Sequence, residues 1–303
     1  MATAFVLSSG ASLGAVQVGM LRALIEKQIT PDLLVGTSAG ALNAAFIAGR
    51  GLDAGGVDAL AEVWTGLRSR TLFPLDPVRA VAALAGRSSA LCSDRGLRHL
   101  LREHLAFDLL EDAPVPLVVV ATDLLTGNEV SLSSGDAEQA ILASCALPAV
   151  FPPVPYGDTV LVDGGLANNT AVSEAVRAGA STIYVLPSGY SCALAAPPRT
   201  PVAAAAHALA ILTHQRLVAD IAMYEGAVDL VVLPPPCPLR VSVLNFGRAA
   251  ELMRAAHTSA VNALAVDHGR RQHPELSIAM HVHDRADRSG GSQPAADNRI
   301  SPG

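Results

Sequence analysis

Gly36-Thr37-Ser38-Ala39-Gly40 follows Pro31-Asp32-Leu33-Leu34-Val35, which reads as a short strand, and precedes Ala41-Leu42-Asn43-Ala44-Ala45-Phe46-Ile47-Ala48, which reads as a helix. Strand, Gly-x-Ser-x-Gly, helix is the context that makes this pattern a nucleophile elbow. The sharp turn forces the serine into strained backbone geometry and lifts its hydroxyl clear of the sheet. Gly36 and Gly40 let the backbone crowd there without Cβ clashes. The motif alone is a weak signal in an Ala/Gly-rich chain, and a plain strand–helix turn is the competing reading.

Upstream, Ala4-Phe5-Val6-Leu7-Ser8 reads as a first strand and Ser9-Gly10-Ala11-Ser12-Leu13-Gly14 as a Gly-rich turn. Residues 15–27 form a helical pattern, with Val16, Met20, Leu21 and Leu24 at helical spacing. This order predicts an α/β fold with parallel strands joined by right-handed crossovers. Downstream, helices are expected over 53–67, from Ser93 or Asp94 to about 106, and over 137–146, 172–178, 201–223 and 248–267. Strands are expected over 115–122, 128–133, 160–162, 181–186, 229–233 and 276–283. One domain over 1–283 is the simplest organisation, followed by a polar Gly/Ser/Pro-bearing tail over 284–303, expected to be disordered.

Half of the 303 residues are hydrophobic and only 16% are charged, which suits a sizeable Ala/Val/Leu core. The formal net charge of −6 does not favour nucleic acid or an anionic membrane, so any lipid contact is local and apolar. Cys92, Cys145, Cys192 and Cys237 are scattered without a CxxC pair and fit a reducing compartment. No signal peptide is visible and no stretch is long and apolar enough to span a bilayer. A cytoplasmic protein, peripheral to the membrane at most, is the expectation. Oligomeric state is not legible.

A serine hydroxyl needs a base to act as a nucleophile. Seven of the nine histidines, His99, His104, His207, His214, His257, His268 and His273, sit on helices or near helix ends, where surface or packing roles outweigh a triad role. His281 and His283 share a strand face, but no third metal ligand lies nearby. Asp163 has a better context: it ends the apolar run Val160-Leu161-Val162 and precedes Gly164 and Gly165, at a strand end where open α/β sheets place chemistry. A simple turn is the competing reading. The Gly-rich turn opens a helix, whose unpaired N–H groups suit a tetrahedral oxyanion. Gly10-x3-Gly14-x4-Gly19 matches a dinucleotide turn only loosely, so no cofactor is expected.

Taken together, the Gly-rich block, the elbow and Asp163-Gly164-Gly165 resemble the patatin-like phospholipase family. The likeness extends through Ala143-Ser144-Cys145-Ala146-Leu147-Pro148-Ala149-Val150-Phe151-Pro152-Pro153 and through Leu166-Ala167-Asn168-Asn169. It implies a three-layer α/β/α fold around a central, mostly parallel sheet. It implies a Ser–Asp dyad without histidine, Ser38 as nucleophile and Asp163 as general base. Backbone amides of Gly10, Ala11 and Ser12 would form an oxyanion hole, and no metal is implied. The implied activity is hydrolysis of carboxylic esters of phospholipids or related lipids through an acyl-serine intermediate.

The chain departs from the family's usual Gly-Gly-Gly-x-Arg/Lys-Gly block at three places. Ser9 and Ala11 replace glycines and Leu13 replaces the basic residue. Ala11 is tolerable there only with a negative φ, since a left-handed backbone disfavours a Cβ. Loss of the basic residue weakens the expectation of a phospholipid headgroup more than that of ester hydrolysis. An esterase, thioesterase or acyltransferase on soluble acyl groups, or a non-catalytic lipid-binding protein, are the alternatives. The irregular, locally basic stretch 68–93 offers a flap with Leu72, Phe73, Leu75, Val78, Val81 and Leu84 toward lipid, against a bland reading as loop and helix packed on the core.

Overall fold

A computed structural model of the chain describes residues 2–74, 79, 81–82, 85–189, 197–237, 239, 241–271, 273–274 and 278. The elements run β1 (Thr3–Leu7), α1 (Ala15–Glu26), β2 (Leu33–Thr37), α2 (Ala39–Arg50), α3 (Ala54–Gly66), α4 (Ser69–Leu72), α5 (Arg95–His104), β3 (Leu117–Asp123) and β4 (Glu129–Leu132). They continue through α6 (Ala137–Ser144), β5 (Val154–Tyr156), β6 (Thr159–Asp163), α7 (Val172–Arg177), β7 (Thr182–Leu186), α8 (Pro201–Tyr224), β8 (Asp229–Val232) and α9 (Ala249–Leu264). Helix starts follow local chemistry. Asp53 accepts from Gly56 N–H at 2.8 Å to cap α3, and Asp136 accepts from Gln139 N–H at 2.7 Å to cap α6.

The strands form one sheet in the order β5-β6-β3-β2-β1-β7-β8, with β4 added to β3. Pairings β3-β2, β2-β1, β1-β7 and β7-β8 are parallel, while β4, β5 and β6 pair antiparallel. Strand alternation sorts the core into two layers. Phe5, Leu7, Tyr184 and Leu186 pack with α1, α2, α3, α5, α6 and α9. Ala4, Val6, Ile183 and Val185 pack with α7 and α8 on the other face. Burial on both faces is why these strands read as unbroken apolar runs. Each fully buried Leu, Val or Phe contributes about 1.5–3 kcal/mol of transfer free energy.

One detail of register positions the site. Val119 and Val120 pair with both β2 and β4, so those two strands take opposite edges of β3. Ala121 and Thr122 pair with both β4 and β6, so β6 lies on the edge that β2 has just vacated. Thr37, the last residue of β2, stands opposite Val120, and Asp163, the last residue of β6, stands opposite Ala121. Two strands running toward each other along one edge therefore end face to face.

The three-layer arrangement expected from the resemblance is present. The short antiparallel β5 is an element the sequence pattern did not reveal, because Pro152, Pro153 and Pro155 mask it. Of the two readings of 68–93, packing on the core holds for Leu72 and Phe73. Leu72 is only 6% exposed, and Phe73 stacks on Phe151 at 5.2 Å between ring centroids and meets Phe246 at 5.8 Å, so both side chains face protein. Val81 is exposed, whereas Leu75, Val78 and Leu84 lie outside the described residues. So do Cys192, His281, His283, the tail over 284–303 and, apart from Ile278, the strand expected over 276–283.

Candidate active site

Ser38 joins β2 to α2 with φ 54° and ψ −118°. A non-glycine residue held there stores about 1–3 kcal/mol of strain, and such strain persists only where surroundings over-determine it. The surroundings are specific. Ser38 N–H donates to Ser144 Oγ at 2.8 Å, and Ser144 Oγ donates to the Val120 carbonyl at 2.6 Å, so the end of α6 pins the elbow to β3. Close approach explains both motif glycines. A Cβ at Gly40 would lie 2.2 Å from the Leu7 carbonyl oxygen, and one at Gly36 would lie 2.6 Å from Ala41 Cα.

Ser38 Oγ donates to Asp163 Oδ2 at 2.6 Å, and the other carboxylate oxygen accepts Gly165 N–H at 2.8 Å. The aspartate backbone is held at both ends: its N–H donates to the Ala146 carbonyl at 3.0 Å and its carbonyl accepts Thr122 Oγ1 at 2.9 Å. Gly164 follows because a Cβ there would meet the Val120 carbonyl oxygen at 2.1 Å. Ser38 is 7% and Asp163 4% exposed. Burial pushes the Asp163 carboxyl up to about 6, against the opposing pull of the hydrogen bonds from Ser38 and Gly165. Burial, and then the charge of Asp163, push the neighbouring Cys145 thiol well above its ordinary value, which makes it an inert wall of the site.

The Gly-rich block wraps this pair. Ser9 N–H donates to the Asn169 carbonyl at 3.0 Å, behind Asp163, and a Cβ at Gly165 would lie 3.1 Å from Ser9 Oγ. A Cβ at Gly14 would lie 2.9 Å from that of Ala39, beside Ser38. Residues 11–14 form a single 3-10 turn leading into α1. Two expectations are corrected here. Ala11 has φ 47°, not a negative value, because it makes the turn from Gly10, at φ 168° and ψ 4°, into that 3-10 turn. Ser12 N–H is taken by the Val243 carbonyl at 3.0 Å and is not a free donor. The N–H groups of Gly10 and Ala11 have no partner among the described residues.

A buried polar chain under the block escaped the sequence reading. Gln17 Nε2 donates to the Ser8 carbonyl at 2.8 Å, the Leu186 carbonyl at 3.1 Å and Ser188 Oγ at 2.9 Å. Gln17 Oε1 accepts from Asn43 Nδ2 at 2.8 Å, which also donates to the Gly14 carbonyl at 3.0 Å. Trp64 Nε1 completes it by donating to Asn43 Oδ1 at 2.7 Å. The signal available was a lone amide on an otherwise apolar helix face, in α1 and again in α2. Four histidines pair away from the site: His257 with Glu26, His99 and His104 with Glu103, and His273 with Glu225. Among the described residues no group of three His, Cys, Asp or Glu side chains forms a metal site, and no helix is long and apolar enough to cross a membrane.

Residues 5–176 match the family described as patatin-like phospholipase. An uncharacterised NTE family protein of Mycobacterium tuberculosis is 32% identical over 164 residues, 54% of this chain and 26% of that protein. Patatin-like phospholipase domain-containing protein 7 of Mus musculus is 28% identical over 193 residues, 62% of this chain and 14% of that protein. The chain thus spans well under half the length of these relatives. The crystal structure of VipD from Legionella pneumophila superposes with a TM-score of 0.43 at 14% identity, covering 95% of this chain and 72% of its own. The chain belongs to the patatin-like phospholipase family.

Proposed function

We propose that this member of the patatin-like phospholipase family is a lipid acyl hydrolase that cleaves carboxylic esters through an acyl-serine intermediate. The observation that carries the reading is the 2.6 Å hydrogen bond from Ser38 Oγ to Asp163 Oδ2 at a strained, buried elbow. A carboxylate forced into an apolar site is a stronger base than one in water, which is what a direct Ser–Asp proton transfer requires. Family membership supplies the lipid character of the substrate.

In the acylation step Asp163 takes the Oγ proton as Oγ bonds to the ester carbonyl carbon. The carbonyl oxygen becomes an oxyanion that accepts from the N–H groups of Gly10 and Ala11, which have no partner among the described residues. Collapse breaks the bond to the leaving alcohol, which takes the proton from Asp163. Water then repeats the sequence on the acyl-serine, with Asp163 as base, and releases the fatty acid. The lipid substrate brings transient contact with a membrane surface. Leu13, where relatives of the family pattern carry a basic residue, favours a second reading in which soluble esters or thioesters are the substrates.

The test is release of free fatty acid from mixed phospholipid vesicles by wild type beside Ser38→Ala, in EDTA. Release that depends on Ser38 is the expected result. Absence of release by folded protein, with turnover of short-chain soluble esters, would transfer the assignment to soluble acyl substrates. Absence of both would leave a lipid-binding protein.

A further inference from the structure

The Gly-rich block is held from outside the family match. Residues 242–245 run over it with their backbone turned inward. The Ser242 carbonyl accepts Ser12 Oγ at 3.1 Å, the Val243 carbonyl accepts Ser12 N–H at 3.0 Å, and the Leu244 carbonyl accepts Ser69 Oγ, from α4, at 2.7 Å. The segment closes on itself through Asn245 N–H to the Ser242 carbonyl at 2.9 Å. Its next residue, the buried Phe246, stacks on Trp64 with ring centroids 6.0 Å apart, and Trp64 in turn anchors the amide chain beneath the block. Val243 and Leu244 are nevertheless 46% and 48% exposed. The segment is therefore a surface strap whose inward contacts are made mainly by its backbone.

We infer that Ser12 is a positioning residue: doubly strapped to Ser242 and Val243, it holds Ala11 in its left-handed conformation and so keeps the N–H groups of Gly10 and Ala11 in place to receive the oxyanion. The inference rests on the acyl-serine reading above. Its physical core is a conflict. An alanine disfavours a left-handed φ, and nothing in the side chain of Ala11 compensates. The compensation comes from the following residue, whose amide and hydroxyl are both tied down and whose side chain is 1% exposed. If the strap were released, Ala11 would relax toward negative φ and its N–H would swing away. A glycine at position 11 would not need the strap.

That last statement gives the test. The rate at which a fluorophosphonate probe labels Ser38 is measured for wild type, Ser12→Ala and the double variant Ala11→Gly/Ser12→Ala, with kcat and KM on a soluble p-nitrophenyl ester and thermal unfolding alongside. Misplacement by about 1 Å predicts that Ser12→Ala lowers the labelling rate and kcat together by roughly 10- to 100-fold, with KM within about twofold. Ala11→Gly added to Ser12→Ala is expected to recover the rate to within about threefold, since glycine takes the left-handed φ unaided. Wild-type labelling in Ser12→Ala, a loss confined to KM, or a loss that Ala11→Gly leaves unrepaired while the unfolding temperature falls in step, would overturn the inference. Wild type that is folded but not labelled at Ser38 would overturn the acyl-serine reading itself, and the inference with it.

Discussion

Ser38 and Asp163 are 125 residues apart in sequence, yet Ser38 Oγ and Asp163 Oδ2 are 2.6 Å apart in space. The reason is the shared edge of β3: β2 delivers Ser38 just past Val120 and β6 delivers Asp163 opposite Ala121. The pair is thus built into sheet register, and neither side chain depends on a mobile loop for its position.

Removal of either partner should stop turnover without unfolding the protein. Ser38→Ala and Asp163→Asn are each expected to lower kcat by roughly 10⁴-fold or more, as loss of a nucleophile or its base does elsewhere. Circular dichroism should be unchanged. Wild-type-like hydrolysis by either purified variant would exclude the dyad.

The acidic limb of kcat/KM should report Asp163. Its carboxyl ionises at about 6, so activity is expected to rise through that pH and level off above it. A histidine base would give a limb in the same range. The discriminating measurement is therefore the profile of His214→Gln, which removes the most buried described histidine. The limb is expected to stay where it is. Its disappearance in that folded variant would revive a triad.

Much of this site was legible because its chemistry is punctuated by small residues. The elbow, the Asp-Gly-Gly turn and the unbroken apolar strands each leave a pattern that sterics or burial demands, and most predicted elements fall within a few residues of those observed. What was not legible depends on partners distant in sequence. Nothing near Ser144 shows that its hydroxyl bridges Ser38 to Val120, and nothing near Gln17 shows that it meets Ser188. The positive φ at Ala11 is illegible for the same reason: the strap at 242–243, distant in sequence, overrides the residue's own propensity.

Asp163→Asn should also stabilise the fold in a pH-dependent way. An acid whose folded pKa is raised binds its proton more tightly folded than unfolded, so stability falls as pH rises from about 4 to about 6 and stays reduced above. The move from 3.8 to about 6 corresponds to about 3 kcal/mol. Asparagine carries no such cost. Its unfolding temperature is expected to exceed that of wild type at pH 8 and to lose that advantage at pH 4. An advantage that grows on acidification would contradict the assigned direction.

Ser144→Ala separates elbow geometry from the dyad. It leaves the buried Ser38 N–H and the Val120 carbonyl without their partner, at about 1–3 kcal/mol per group. Since Ser144 lies behind the elbow, the expected kinetic signature is a lowered kcat with KM little changed. A variant as stable and as active as wild type would show that the strained Ser38 backbone is held by the flanking contacts alone.

The amide chain beneath the Gly-rich block is expected to behave as one unit. Gln17→Leu conserves volume but strips the donor from two carbonyls and a hydroxyl and the acceptor from Asn43. A loss of about 1–3 kcal/mol follows, chiefly from the Asn43 amide hydrogen left unpaired, since the Leu186 carbonyl keeps Ser8 N–H and the Ser8 carbonyl keeps Ser188 Oγ. Asn43→Leu breaks the same chain from the α2 side and also frees the Gly14 carbonyl and the Trp64 N–H. Because each variant already orphans the other's partner, the double variant should cost less than the sum of the two, by more than about 0.5 kcal/mol in a double-mutant cycle from denaturant unfolding. Simple additivity would mean that the two amides act independently. The block above them would then owe its shape to the 242–245 strap and not to a continuous chain from Trp64 to Ser188.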